Sequence, residues 1–501
     1  MTDSKVIGAL YANSVLSGIG LLLSLGASLV LVRSVPQDVF ADYATVLAII
    51  AVSTFVFEAG ANSALTRYLH ESAKGASRGT FYRSMQRRRI VSALLCALAL
   101  VLVGPVYARA AGVDALANQP WLFMLLAGIV GATLLRLLPH YGLLAVFAAR
   151  KALLLQQGFQ VGRAVSLAVV AQFGALPQLV AVTLLVTAGE AMVVHRVFWR
   201  LIRTEDRPLP DDLARRARTF GILTVVDKAC AMLGGGSVLL LVLAPHHPAS
   251  TIALLGLAID IVGKIVSATV LPLGNLVAPY LSRSGDDAAS QGLAAARVTK
   301  LSSVLYGFGI GVSTLALPWA IPAAYGTRYA GATGFAIVML LPAAFENWVR
   351  GCCSPALLRS GRYRSLLTVN ALQAAATLAA LAVAYRLPVL TALVLVGAVR
   401  ASIAALNLVS MHAIVPRGTY QVPLASLAVA LIACVTAFAV GSTVEATAVR
   451  CVVQLLVFAT TYSMGARWLV LRDDDTLHLA HRIAGYRLKA LSALLPGLPA
   501  R

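Results

Sequence analysis

Apolar positions in this chain come in long runs, and polar ones gather in the short segments between them. "LYANSVLSGIGLLLSLGASLVLV" near the start and "PLASLAVALIACVTAFAVG" near the end show the pattern. A helix rising ~1.5 Å per residue needs about 20 such residues to cross the hydrocarbon layer of a bilayer. The runs predict fourteen spanning helices, over residues 6–32, 42–65, 90–109, 120–146, 153–173, 177–198, 219–243, 251–280, 301–324, 331–349, 366–385, 389–414, 421–441 and 447–469. The first run exceeds the ~7–15 apolar residues of a cleaved signal peptide, so it reads as a retained span. No connecting segment is longer than about 25 residues, which leaves no room for a soluble domain. The fold class expected is an all-α polytopic membrane protein.

Composition agrees. Of 501 residues 59% are hydrophobic and only 12% charged, with a mean hydropathy of +0.83, so lipid must solvate most of the surface. A net charge of +21 would suit a nucleic-acid binder if it formed a basic face on a soluble domain. Here the basic residues lie between spans, so no nucleic-acid partner is expected. Numbering from a cytoplasmic N-terminus places 31 of the 41 Lys and Arg in cytoplasmic segments. Only Arg33, Arg109, Arg328 and Arg386 fall outside. Positively charged loops stay in the cytoplasm, so both termini are expected there. The tail after residue 470 predicts an amphipathic helix, with Leu477, Ile483, Leu488 and Leu491 on one stripe, lying on the anionic inner leaflet.

Nine charged residues fall in the middle part of spans: Glu58, Arg136, Arg163, Glu190, Asp227, Lys228, Asp260, Lys264 and Arg400. A charge at the bilayer centre costs at least about 2.5–3.5 kcal/mol, so these side chains must pair inside the bundle or line a hydrated cavity. Asp260 precedes Lys264 by one helical turn, the favourable order for a self-neutralising pair. Asp227 and Lys228 point ~100° apart and need separate partners. Arg136, Arg163 and Arg400 have no acid within one turn, so each needs Glu58, Glu190 or a ligand. Five bases against four acids make the mid-membrane region slightly cationic. Glu346 and Arg350, one turn apart at the end of the tenth span, read as a snorkelling pair. His140 and His195 read as hydrogen-bonded or interfacial rather than as proton relays. The six cysteines lack CxxC or Cys/His spacing and read as small apolar residues, with no metal or other cofactor expected.

No GxxxxGK followed by Ser or Thr, no HExxH and no GxSxG occurs, so neither an ATP-driven pump nor a hydrolase of those kinds is indicated. The two halves echo each other. "LLAVFAARKALLLQQGFQVGRAVSLA" between the fourth and fifth spans matches "CSPALLRSGRYRSLLTVNALQAAATLA" between the tenth and eleventh in spacing and character. Repeat-built transporters bind substrate between their halves near mid-membrane. The organisation read from this is an N-lobe over 1–200, a linker over 201–218, a C-lobe over 219–415, appended spans over 416–470 and the tail over 471–501.

Four stretches, "FADYATVLAIIAVSTFVFEAGANSALTRYL", "VLPLGNLVAPYLSR", "LPWAIPAAYGTRYAGATGFAIVMLL" and "LLRSGRYRSLLTVN", resemble in order and spacing the polysaccharide flippase branch of the multidrug/oligosaccharidyl-lipid/polysaccharide exporter superfamily. The resemblance implies two six-helix lobes around a central cavity, in a bacterial inner-membrane transporter rather than an enzyme. It also implies flipping of an undecaprenyl-pyrophosphate-linked oligosaccharide, driven by a coupling cation (H+ or Na+), beside polysaccharide polymerase machinery. Arg136, Arg163, Lys228, Lys264 and Arg400 are the candidate pyrophosphate ligands, and Glu58, Glu190, Asp227 and Asp260 their balancing acids or coupling-ion sites. The rival readings are a drug or small-cation antiporter of the same fold and an envelope glycan polymerase or ligase.

Overall fold

The computed structural model describes residues 22–470 apart from 59, 74–77, 111–112, 147, 174, 203–209, 270–287, 360–362, 412–413, 417 and 445–446. The start of the first span, the end of the eighth and the amphipathic tail lie outside the described residues. All the longer described elements are helices. In chain order they are α1 (Leu22–Ser34), α2 (Gln37–Glu58), α3 (Ala61–Ala73), α4 (Arg78–Ala110), α5 (Asp114–Asn118), α6 (Leu122–Ala145), α7 (Ala149–Val170), α8 (Leu176–Ile202) and α9 (Asp211–Leu233). There follow α10 (Gly236–Leu243), α11 (Ala249–Thr269), α12 (Ala288–Tyr325), α13 (Ala332–Arg359), α14 (Tyr363–Ala384), α15 (Val389–Met411), α16 (Val422–Gly441) and α17 (Thr447–Leu469).

Every one of the fourteen expected spans has a helical counterpart, and among the described residues eleven helices are long and apolar enough to cross a membrane unaided. The other three have physical reasons. Only the end of the first run, from Leu22, is described, as the 13-residue α1. The fifth, α7, opens with Arg150 and Lys151 and carries Arg163, which lowers its hydropathy. The seventh expected helix is broken: Gly234–Gly236 ends α9, and α10 starts afresh with only eight residues. Glycine is about 1 kcal/mol worse than alanine in a helix interior, and three in succession end the run. The second expected span also stops short of residue 65. It ends at Glu58, and the chain turns at Gly60, with φ +65°, into the separate amphipathic helix α3.

Lipid contact is legible on single faces. On α4 the residues Ile90, Leu94, Leu98 and Leu102 recur at one-turn intervals and all stay exposed, Leu94 at 65%. A water-solvated surface does not carry such a stripe, and the chain is a multi-pass membrane protein.

The described residues fall into two compact units. The first draws on Leu16–Leu257 with Thr377–Val389, and the second on Ala258–Ala376 with Leu390–Arg501. In the first, α6 is the central helix and packs on α2, α3, α4, α7 and α8. Close crossings use glycine: a Cβ on Gly104 would fall 2.4 Å from the Phe123 ring, and one on Gly142 2.3 Å from that of Phe198. One end of this unit is filled by a core of Leu65, Tyr82, Met85, Leu138, Val194 and Phe198. Within it the Tyr82 hydroxyl meets His195 Nδ1 at 3.0 Å. In the second unit α12 packs on α13, α16 and α17. Trp348 Nε1 donates to Ser302 Oγ across the α12–α13 interface at 3.0 Å.

Candidate functional site

Three consecutive spanning helices of the first unit each contribute one charged side chain to a single cluster. Arg136 on α6 donates through one terminal nitrogen to Glu190 Oε2 on α8 at 2.8 Å, and Arg163 on α7 reaches the same oxygen at 3.3 Å. Arg163 also donates to Thr187 Oγ1 at 3.3 Å, one turn before Glu190. Thr187 and Thr183 each return their hydroxyl hydrogen to the carbonyl four residues back, and Thr183 Oγ1 lies 3.3 Å from the Tyr43 hydroxyl of α2. This polar seam runs along an otherwise apolar helix face, as hydroxyls in a low-dielectric interior must find partners.

Charge does not balance within the cluster. Glu190 is 3% exposed, while Arg136 and Arg163 keep 20% and 29% of their side-chain surface open. One carboxylate faces two guanidiniums that stay protonated, leaving one positive charge in excess. The Nε hydrogens of both arginines are buried without an acceptor. Both arginines take Glu190, rather than Glu58, as their counterion.

The second unit holds a matching cluster. Glu346 on α13 is 2% exposed and accepts from Arg350 Nε at 3.1 Å and from Gln373 Nε2 on α14 at 2.9 Å. Its other oxygen pairs with Arg400 on α15, and Arg350 donates a further bond to Gln373 Oε1 at 3.1 Å. Glu346 is therefore no snorkelling residue: it is the buried counterion that Arg400 requires. Again two arginines meet one glutamate.

The two clusters occupy equivalent places in the repeat. Positions 136, 163 and 190 return as 346, 373 and 400, each 210 residues on (346 − 136, 373 − 163, 400 − 190), with 27 residues between successive members. Arg–Arg–Glu in the first set becomes Glu–Gln–Arg in the second, so the interhelical ion pair is kept with its charges exchanged.

The other expected site residues with described side chains are placed as follows. Lys264 Nζ lies 2.5 Å from Asp260 Oδ2, the one-turn pair of α11, with Asp260 40% exposed. Glu58 is buried at the end of α2, where its backbone carbonyl accepts from Arg89 at 2.8 Å. Asp227 and Lys228 sit on α9, and their side chains lie outside the described residues.

No protein-family model matches the sequence, and no curated protein matches it. Solved structures do. The chain is similar to a lipid II flippase, MurJ, in an inward closed conformation, with a TM-score of 0.70 at 10% identity over 91% of this chain and 98% of that one. It is also similar to a eukaryotic MATE transporter, AtDTX14, with a TM-score of 0.51 at 12% identity over 83% of this chain and 100% of the other. At such identities side chains are not comparable but the helical path is. The chain shares its helical fold with these two proteins.

Proposed function

We propose that this protein is a flippase for a lipid-linked oligosaccharide. It would carry an undecaprenyl-pyrophosphate-linked glycan from the cytoplasmic to the periplasmic leaflet of a bacterial inner membrane, for exopolysaccharide, capsule or O-antigen assembly. The observation that carries the reading is the arginine excess of the Arg136–Arg163–Glu190 cluster, in a fold similar to that of a lipid II flippase. A pyrophosphate leaving water needs charge-assisted donors, and guanidinium forks match its oxygens. Arg136 and Arg163 are the ligands favoured, both held by the Glu190 carboxylate, which fixes their direction without neutralising the whole group. Asp260 with Lys264, and Asp227 with Lys228, serve the coupling cation or balance charge in this reading. Transport is driven by an H+ or Na+ gradient, with both termini in the cytoplasm.

The test is transport of a fluorescent undecaprenyl-pyrophosphate oligosaccharide in proteoliposomes of the purified protein. Wild type should move the lipid to the far leaflet with a gradient imposed, and an Arg163→Ala protein that inserts normally should not. Equal movement by both proteins would reject the arginine site. The likeness to a MATE transporter supports one second reading, a drug or small-cation antiporter. Under it the liposomes exchange an organic cation for H+ or Na+ and leave the oligosaccharide lipid in place.

A further inference from the structure

A second arginine cluster lies in the first unit, away from the Arg136–Arg163–Glu190 cluster. Arg89 on α4 is among the largest fully buried side chains of the protein, only 1% exposed. One terminal nitrogen donates to the carbonyl of Glu58 at 2.8 Å and to that of Phe57 at 3.5 Å. The other donates to Asn62 Oδ1 at 2.7 Å. All three acceptors are neutral, and Nε, also buried, has no acceptor. Buried charges are normally matched by a counterion in direct contact, and buried donors by an acceptor. The Glu58 carboxylate acts on Arg89 through space, but none of the bonds of the guanidinium goes to a carboxylate and its set of acceptors is incomplete.

Beside it is a pocket of about 200 Å³ lined by Glu58, Arg88, Arg89, Ser92, Arg218 and Gly221 among others. Three arginines face one glutamate, so the pocket is cationic. Arg88 and Arg218 are exposed and the guanidinium of Arg89 is enclosed, which gives two solvent-exposed cations and one buried cation. Ser92 adds a hydroxyl donor.

The pocket lies where the surface changes character. On α4 Arg87 and Arg88 are exposed, and the next exposed positions are Ile90, Val91 and Leu94. On α9 exposed Arg215, Arg216 and Arg218 are followed by Ile222, 59% exposed. Two helices that line the pocket thus pass from charged to apolar surface beside it, the pattern expected at the level of lipid headgroups.

The geometry points to a phosphate-binding site here, taking a phosphate or diphosphate group at the membrane surface between α2, α4 and α9. Arg89 supplies fixed positive charge in the inner wall, and Arg88 and Arg218 are the donors that meet the anion. Such a group comes either from a lipid headgroup or from a soluble phosphate compound. The inference does not rest on the flippase reading, since it uses none of the residues given a role there; the Glu58 carboxylate is the opposing charge.

The test is binding to the full-length protein in maltoside micelles, by calorimetry, with inorganic pyrophosphate and dihexanoyl phosphatidic acid as probes. Both should bind saturably. Removing the two exposed cations with Arg88→Gln and Arg218→Gln should weaken both at least tenfold. Arg87→Gln with Arg215→Gln takes the same charge from the same helices outside the pocket and should change neither more than twofold. Tighter binding of the phosphatidic acid assigns the site to a lipid headgroup, and equal or weaker binding assigns it to a soluble phosphate. Absence of saturable binding by either probe, or equal losses in the two double variants, overturns the site.

Discussion

Arg136 and Glu190 are 54 residues apart in sequence and 2.8 Å apart in space, and the equivalent pair 210 residues later, Glu346 and Arg400, is the same bond written backwards. An ion pair between two neighbouring helices is indifferent to which helix carries which sign, provided that both partners stay. Losing one partner strands a buried charge, with a penalty of about 3–5 kcal/mol for a fully buried pair. Partial exposure of Arg136 reduces that figure here. Glu190→Gln should therefore lower stability by about 2 kcal/mol or more. Arg136→Glu combined with Glu190→Arg, which copies the polarity of the second cluster, should recover most of the loss. Thermal melting in detergent measures both. An exchanged pair no more stable than the single variant would show that surrounding groups, and not the pair alone, fix the polarity.

Arg163 is the member whose counterpart is neutral. Gln373 holds Glu346 by a hydrogen bond from its neutral amide at 2.9 Å, where Arg163 holds Glu190 by a charged donor. Arg163→Gln should keep a bond to Glu190 and to Thr187 while removing the excess positive charge. Folding should be nearly unaffected, within about 1 kcal/mol, as for a partly exposed pair. Transport of the lipid-linked oligosaccharide should fall at least tenfold. A variant that melts like wild type and transports like wild type would assign Arg163 to structure alone.

What the sequence carried and what it concealed divide along a physical line. Hydrophobic run length located the spans well, because a bilayer imposes one thickness on all of them. It placed the second boundary seven residues late because Gly60 lets an apolar helix turn without any drop in hydropathy before it. The seventh span was read as continuous because glycine counts as non-polar while weakening a helix. Arg136, Arg163, Glu190 and Arg400 were legible as buried charges needing partners. Which partners they take was not, since that depends on neighbouring helices. Glu346 was assigned to its one-turn neighbour Arg350, and the longer connection to Arg400 needed the repeat. The signal was available: the two echoing segments, starting at Leu143 and Cys353, already align 163 with 373.

Gly60 supports a prediction on stability. Its φ of +65° is in the left-handed region, and a Cβ there would meet the carbonyl oxygen of Gly221 at 2.1 Å. The backbone of the α2–α3 turn and that of α9 approach through this point. Left-handed geometry alone costs a non-glycine residue about 1–2 kcal/mol, and the backbone clash adds to it. Gly60→Ala should reduce the yield of folded protein and lower Tm by several degrees. Gly131→Ala, in the interior of α6 with nothing within 4 Å of a new Cβ, should instead be neutral or stabilise by up to about 1 kcal/mol. Equal behaviour of the two variants in a detergent melt would remove the close crossing as the explanation.

Tyr462 joins three helices of the second unit. Its hydroxyl lies 2.8 Å from Ser426 Oγ on α16 and 2.8 Å from the Val304 carbonyl of α12, while Ser426 Oγ lies 2.6 Å from the Ser303 carbonyl. Carbonyls at positions 303 and 304 are free to accept from side chains because a hydroxyl can share a helical carbonyl that already takes a backbone bond. The ring stacks on Phe458 at 5.5 Å, and Gly307 makes room for the hydroxyl, since a Cβ there would fall 2.4 Å from it. Apolar packing is thus unchanged in Tyr462→Phe, and only the hydrogen bonds are lost. In lipid the hydrophobic effect does not separate helices from their surroundings, so such bonds carry a larger share of what holds them together, about 0.6–2 kcal/mol each. Tyr462→Phe should cost about 1–2 kcal/mol, and Gly307→Ala more, because it displaces the hydroxyl from both partners. If Tyr462→Phe melts at the wild-type temperature while Gly307→Ala does not, the node is held by shape and not by its hydrogen bonds.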